Sequence, residues 1–160
     1  MKFLDYVNIR MGTDTTPLFS NGNTLPMTSL PFGMNNFLVE TRGHNPLEIF
    51  NATDRVTTGI RLTHCSNRWL GDYGFLTFMP RSESSKAGIC SPSSFVPEKT
   101  EMNPHEINVN FQIQRAKVSL TPAQRSAVVK VHYYDAHGGR SMLLKLFCGA
   151  EISVNDDGIV

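Results

Sequence analysis

The stretch that decides the fold is residues 105–113, which read His-Glu-Ile-Asn-Val-Asn-Phe-Gln-Ile. Apolar side chains occupy every second position from Ile107 to Ile113, and polar side chains lie between them. This period of two predicts a β-strand, because a helix could not place these apolar residues on one face. A strand with one apolar face needs a second layer to cover it, so the stretch favours two packed sheets.

The same alternation continues towards the carboxyl end of the chain. It resumes at residues 116–120 after a turn at 114–115, which predicts a hairpin. It appears again at 127–133 and, after the glycine-containing turn at 135–140, at 142–148. We therefore predict a second hairpin from the last two strands.

Two further segments, one before and one after these predicted strands, complete the predicted architecture. Residues 81–100 are rich in Ser and Pro and are expected to form a long surface loop. A last strand begins at Ile152, but the turn at 155–158 leaves only two residues for its partner, so we expect a sandwich that is truncated near its carboxyl end. The prediction is an all-β, antiparallel β-sandwich that forms one domain over residues 1–160.

Composition excludes several classes of protein. The 160 residues are 40% hydrophobic and 18% charged, as is usual for one globular domain. A net charge of +1 gives no basic stripe for nucleic acid. The sequence shows no signal peptide or membrane span, so we expect a cytoplasmic location. The 3 Cys residues are widely spaced, which argues against a disulfide framework or a zinc site.

A candidate binding loop lies in residues 59–80, which read GIRLTHCSNRWLGDYGFLTFMP. Two short apolar runs flank a polar and aromatic centre that carries His64, Arg68, Asp72 and the single tryptophan, Trp69. Loops held by strands often carry binding groups, and a flat aromatic ring beside ionic groups suits a sugar. This stretch therefore predicts a sugar-binding loop between two strands.

Structural alternatives stand beside this functional interpretation. A lone tryptophan is more often part of a core, but Trp69 has polar, turn-forming neighbours. We expect Trp69, Arg68 and Asp72 on an exposed loop, because an unpaired buried charge is costly. Cys65 could be a nucleophile beside a histidine, but adjacent strand residues point to opposite faces, which favours a structural cysteine. Residues 20–23 indicate a turn or sugar-contact loop more than a phosphate site.

Several further motifs agree with this loop in order and spacing. Together they resemble the amino-terminal domain of glycoside hydrolase family 92, the calcium-dependent, inverting exo-α-mannosidases. Besides the candidate loop, the matching segments are Tyr6–Thr13, Ser20–Pro26, Leu30–Met34, Ser93–Phe95, Pro104–His105 and Leu120–Arg125.

The resemblance implies a supersandwich-like amino-terminal domain that packs on a much larger helical catalytic domain. That partner domain would supply the catalytic acid, the catalytic base and the calcium ligands, so no catalytic residue and no metal ligand is assigned here. The resemblance also implies that the sandwich lends its loop to a pocket for a mannose-containing glycan. Trp69 would be the stacking surface, Arg68 and Asp72 would be polar contacts or loop braces, and His64 and Asn23 are further candidates.

Two functions of different classes remain open at this point. The chain is either the sandwich part of an α-mannosidase or a free-standing, degenerate carbohydrate-binding module from a truncated gene. In both cases we expect the 160 residues alone not to hydrolyse mannosides, because the paired carboxylates of an inverting glycosidase are not identifiable in the sequence. We also expect the isolated chain to self-associate if it normally docks on a second domain.

Overall fold

The chain folds almost entirely into β-strands. The computed structural model describes residues 3–14, 24–41, 49–64, 72, 74–83, 85, 88, 91–135, 138–146, 151, 153–155 and 158–159. The only helices in this part of the chain are two short 3-10 turns, Phe3–Tyr6 and Pro97–Lys99. Within the same residues, no helix is long and apolar enough to span a membrane. The predicted all-β class is confirmed.

The strands are short to medium in length and are numbered in chain order. They are β1 (Asn36–Glu40), β2 (Val56–Thr57), β3 (Gly59–Thr63), β4 (Phe75–Ser82), β5 (Ser93–Ser94), β6 (Glu101–Asn103), β7 (Glu106–Phe111), β8 (Ala116–Pro122), β9 (Ala127–Tyr133), β10 (Arg140–Leu146), β11 (Val154–Asn155) and β12 (Gly158–Ile159).

Two four-stranded sheets form the body of the domain. The first sheet has the order β1-β3-β4-β10, and the second has the order β6-β7-β8-β9. Every pair of neighbouring strands in both sheets is antiparallel, as predicted. The short pairs β2-β5 and β11-β12 lie outside these sheets. Strands β6 to β9 are consecutive in the chain, whereas β10 joins β4 from far along the sequence.

The two sheets share one apolar core, which is the defining property of a sandwich. In β7 and β8 buried and more exposed residues alternate, so one face of the second sheet is directed into this core. Burial of these side chains is the main favourable term in the free energy of folding. The residues that join the two sheets include Val39, Ile60 and Met79 from the first and Ile107, Val109, Phe111, Val118 and Leu120 from the second.

The first sheet is buried more completely than the second. Four consecutive residues of β1, Phe37 to Glu40, are buried, so both faces of this strand are covered. A strand covered on both faces has no alternation of apolar and polar residues. Because the sheet is so fully buried, charged side chains such as Glu40 and Arg61 need partners of opposite charge inside the protein.

One side of the sandwich is closed by hydrogen bonds. Thr28 exchanges two backbone hydrogen bonds with Phe37 of β1, at 2.8 and 2.9 Å. The Thr28 hydroxyl also donates to the carbonyl of Asn103 at 2.6 Å, and the Ser29 N–H donates to the carbonyl of Pro104 at 3.0 Å. The chain before β1 therefore connects the first sheet to the β6 edge of the second.

The opposite side of the sandwich lies where β9 and β10 form the outer strands of the two sheets. The Tyr133 hydroxyl at the end of β9 donates to the carbonyl of Ser141 in β10 at 2.9 Å. Val128 of β9 and Met142 of β10 are exposed apolar side chains on these strands. Four of the seven residues of β9 are exposed, whereas four of the five residues of β1 are buried, so we call the β9–β10 side the more open side.

The predicted second hairpin is wrong. β9 pairs with β8 and β10 pairs with β4, so the chain between them crosses from one sheet to the other. Alternation shows which residues of a strand share a face, but it does not show which strand is the neighbour. Two consecutive alternating strands are therefore compatible with a hairpin and with a crossover.

Two boundaries also differ from the predictions. Ile113 was expected in the buried face of its strand, but β7 ends at Phe111 and Ile113 is 42% exposed. The chain leaves the strand here for a tight turn in which Arg115 has a φ of 51°. The predicted loop at 81–100 contains regular structure, since it includes β5 and the buried ring of Phe95.

Candidate functional site

The predicted binding loop is the connection between β3 and β4. These strands are neighbours in the first sheet, and their register pairs Thr63 with Phe75. Residues 64–74 therefore leave the sheet and return to it at adjacent points. Nδ1 of the exposed His64 lies 3.3 Å from the carbonyl oxygen of Gly74, a hydrogen bond when that nitrogen carries the proton. This contact joins the two ends of the connection.

Asp72 is buried, so the expectation that it lies on an exposed loop is wrong. Arg61 of β3 places Nε 3.1 Å and Nη2 3.0 Å from Oδ2 of Asp72. The other carboxylate oxygen accepts the Gly74 N–H at 3.4 Å. The expectation was based on the cost of an unpaired buried charge, whereas here the cation of Arg61 pairs with the carboxylate. Asp72 fits the role of a loop brace.

Arg61 bonds a second buried carboxylate, that of Glu40 on β1. Its Nη1 lies 2.8 Å from Glu40 Oε1. Glu40 Oε2 accepts from Lys145 Nζ of β10 at 3.1 Å and from the Thr58 hydroxyl at 2.9 Å. Two carboxylates and two cations thus alternate in the order Asp72, Arg61, Glu40, Lys145. We call these four residues the ion row, and their formal charges sum to zero.

The ion row follows the geometry of the first sheet. Arg61 of β3 pairs with Thr77 of β4, and Thr77 pairs in turn with Lys145 of β10, so these positions form a line across three strands. The ring of Phe75 covers the guanidinium, whose central carbon lies 3.6 Å from the ring centroid. A cation over an aromatic face gains electrostatic stabilisation, and more so when it is desolvated.

The pKa of Glu40 is lowered from its ordinary value of 4.5. Burial alone raises the pKa of this carboxyl, because it disfavours the charged form. The positive charges of Lys145 and Arg61, together with hydrogen bonds to the carboxylate, outweigh burial. Glu40 is therefore ionised in the folded protein at neutral pH.

The lowered pKa of Glu40 predicts a loss of stability in acid. A carboxyl with a lower pKa in the folded state stabilises the protein fully above its unfolded pKa, near 4.5, and loses this contribution as the pH falls through the folded value. We expect the free energy of unfolding to fall more steeply below about pH 5 in the wild type than in Glu40→Gln. Urea unfolding at a series of pH values measures both slopes. Equal slopes for wild type and Glu40→Gln, with the exposed-residue variant Glu151→Gln as control, would contradict this assignment.

The structure brings together only some of the residues that the sequence singled out. His64 and Asp72 lie at the two ends of the β3–β4 connection. Trp69, Arg68 and Asn23 lie outside the described residues, so their predicted roles stay predictions.

Sequence reasoning missed the other members of the ion row, which are Glu40, Arg61 and Lys145. The one available signal was a charged residue inside a predicted strand. Arg61 stands between Ile60 and Leu62, where simple alternation would place it on the face opposite to theirs. Such an arginine becomes informative only when an acidic partner from another strand is known.

The described residues do not fit a calcium site. No group of three or more His, Cys, Asp or Glu side chains in this part of the chain is arranged to hold a metal ion. The buried carboxylates of Glu40 and Asp72 already bind the cations of Arg61 and Lys145. We therefore derive no chemical step through calcium for these residues.

The fold and the braced connection define a class, an antiparallel β-sandwich in which the connection between two central strands is held at both ends. The profile of the glycosyl hydrolase family 92 N-terminal domain matches residues 6–158. The chain belongs to this family, which confirms the predicted resemblance. No curated protein matches the sequence.

Solved structures of the same family share this fold. An inverting mannosidase of family GH92 from Bacteroides thetaiotaomicron VPI-5482 is 29% identical, with a TM-score of 0.78 over 89% of this chain and 19% of that one. A GH92 α-mannosidase from the same species is 23% identical, with a TM-score of 0.68 over 83% of this chain and 18% of that one. A GH92 glycosyl hydrolase named ccman5 is 15% identical, with a TM-score of 0.64 over 88% and 20%. The chain thus spans about a fifth of the length of each relative.

Proposed function

We propose that this chain is the amino-terminal domain of a calcium-dependent, inverting exo-α-mannosidase and completes a pocket for terminal mannose of a glycan. The observation that carries the proposal is the similarity, over 89% of the chain, to an inverting mannosidase at 29% identity. The family match over residues 6–158 supports the same assignment.

The geometry of the β3–β4 connection supports a binding role for it. Its first end is held by the contact between His64 and Gly74, and its second end by the ion pair between Asp72 and Arg61. A binding loop gains affinity when its shape is fixed before the ligand arrives, because less conformational entropy is lost on binding. Trp69 and Arg68 belong to this connection in the sequence, and we propose them as the stacking and polar contacts to the sugar.

The chemistry of hydrolysis is proposed to lie in a partner domain. An inverting glycosidase needs one carboxylic acid and one carboxylate that face the scissile bond. Glu40 and Asp72 are the buried carboxylates of the described residues, and both are bound by Arg61. We therefore propose that a helical domain of the longer protein supplies the acid, the base and the calcium ligands.

This proposal predicts that the 160-residue chain alone releases no mannose from aryl α-mannosides, with or without calcium. A chromogenic α-mannoside assay measures the release, with a chelator as the control for bound metal. Reproducible calcium-dependent turnover that the chelator abolishes would show that the chain contains a complete active site.

The sugar contact has a separate test by NMR titration of the labelled chain with methyl α-mannoside. We expect chemical-shift changes centred on His64, Asp72 and Gly74, with a dissociation constant in the millimolar range or weaker, about 4 kcal/mol of binding free energy. Methyl α-glucoside is the matched control ligand. Changes spread over β7 and β8 instead, or no change at a saturating concentration, would contradict a sugar site at the connection. Micromolar binding would instead support a free-standing binding module.

We also propose that the isolated chain self-associates through its more open side. Val128 on β9 and Met142 on β10 expose apolar surface there, and such surface favours association. Light scattering over a range of concentrations measures this, and a monomer at every concentration would contradict it.

A further inference from the structure

We propose that Arg61 is a positioning residue, which fixes the two described ends of the β3–β4 connection by holding Asp72 in one place. The inference rests on the proposed function only for the identity of the ligand that the connection contacts. The position of Asp72 does not depend on the ligand and can be measured without it.

Arg61 directs different N–H donors of its guanidinium to two different carboxylates. Nη1 donates to Glu40 on β1 and Nε donates to Asp72 at the end of the connection, while Nη2 lies 3.0 Å from the same Asp72 oxygen without forming a hydrogen bond. The guanidinium is planar, and its donors have a fixed fork geometry. Once Glu40 binds Nη1, the direction of the Nε–H bond, and with it the place of Asp72, is determined.

Glu40 and the guanidinium plane are themselves fixed. Glu40 accepts hydrogen bonds from Thr58 and Lys145 as well as from Arg61, so its carboxylate is held from three sides. Phe75 lies against the guanidinium at 3.6 Å. Rotation of Arg61 would leave the buried carboxylate of Asp72 without its cation and that of Glu40 with Lys145 alone, which is strongly unfavourable.

The hydrogen bonds of Asp72 and Gly74 extend these contacts to the exposed end of the connection. Asp72 accepts the N–H of Gly74, and the carbonyl of Gly74 faces Nδ1 of His64. A continuous path of contacts therefore runs from the buried Arg61 through Asp72 and Gly74 to the exposed His64. Loss of Arg61 would release both ends of the connection.

The sequence provides its own probe for this proposal. Trp69 is the single tryptophan of the chain and belongs to the connection, so its indole signal reports on that segment alone. The experiment compares Arg61→Met with Arg55→Met in the full 160-residue chain. Arg55 is the matched control, because its ion pair with Glu98 is exposed, with 59% and 60% of the two side chains accessible.

The expected result is a shift of the Trp69 indole N–H resonance and of the His64 ring resonances in Arg61→Met. The amide resonances of Val118 and Leu120 in the second sheet should keep their places, which shows that the sandwich is still folded. Arg55→Met should shift none of these signals. A folded Arg61→Met whose indole and His64 signals coincide with those of the wild type overturns the proposal.

Arg61→Lys keeps the test decisive if Arg61→Met does not fold. Lysine retains the charge but has no planar fork, so it cannot hold Glu40 and Asp72 in one fixed geometry. A shift of the Trp69 and His64 signals in folded Arg61→Lys supports positioning, and unchanged signals overturn it. If Arg61 contributed only its positive charge, Arg61→Lys would show the same signals as the wild type.

Titration with methyl α-mannoside separates the positioning role of Arg61 from the proposed function of the chain. If the connection contacts mannose, Arg61→Lys should bind methyl α-mannoside about tenfold more weakly than the wild type, which equals about 1.4 kcal/mol. Equal affinities overturn the positioning of the sugar contacts by Arg61. A wild-type chain that shows no response to the mannoside contradicts the proposed function, while the indole and His64 signals still decide the role of Arg61.

Discussion

Replacement of Glu40 by alanine is expected to lower the free energy of unfolding by about 3–5 kcal/mol. The substitution leaves Arg61 buried with one carboxylate instead of two and removes the acceptor of Lys145. It also leaves the Thr58 hydroxyl without its bond to Oε2. Removal of one partner from a buried ionic network costs far more than removal of an exposed pair, because the remaining charge stays desolvated.

Urea unfolding at neutral pH measures this loss, and Glu98→Ala is the matched control. Glu98 pairs with Arg55 at the surface, where both side chains are mostly exposed. We expect the control to unfold at the same urea concentration as the wild type within experimental error. Equal stabilities for Glu40→Ala and Glu98→Ala would show that the ion row does not contribute to stability.

Replacement of Phe111 by alanine is expected to cost about 3–5 kcal/mol, because the change removes a buried ring and leaves a cavity. Phe111 has no accessible surface and belongs to the core that joins the two sheets. Phe32→Ala is the matched control, since the ring of Phe32 is fully exposed. Thermal unfolding of both variants measures the difference. A midpoint for Phe111→Ala as high as that for Phe32→Ala would place the core elsewhere.

The second sheet could be predicted from the sequence because it obeys a simple physical rule. β7 and β8 have one face in the core and one towards water, so their apolar residues alternate. In the first sheet, alternation at 142–148 predicted β10 and two apolar runs predicted β3 and β4, but β1 was missed. β1 is buried on both faces and includes a glutamate, and no pattern in Asn36–Glu40 indicates that strand. Prediction from alternation succeeded where contact with solvent produced a period of two, and it failed at β1, where burial removed that period.

The candidate site shows the same limit at the level of single residues. The composition of residues 64–72 indicated a loop with binding groups, and the structure places His64 and Asp72 at its two ends. The partners that brace it come from distant parts of the chain. In the sequence, Glu40 is 21 residues from Arg61 and 105 residues from Lys145. Local sequence carries no information about such contacts, so Asp72 was assigned to the surface.

The strand order has a consequence for the sequence of events in folding. β6 to β9 are neighbours both in the chain and in the sheet, so their contacts are local and close with little loss of entropy. β10 must instead return to β4 after the whole second sheet has been synthesised. Lys145 lies on β10, so the carboxylate of Glu40 gains its second cation only when β10 joins the first sheet. Closure of the first sheet and full neutralisation of its buried charges therefore occur together, after the strands of the second sheet have been synthesised.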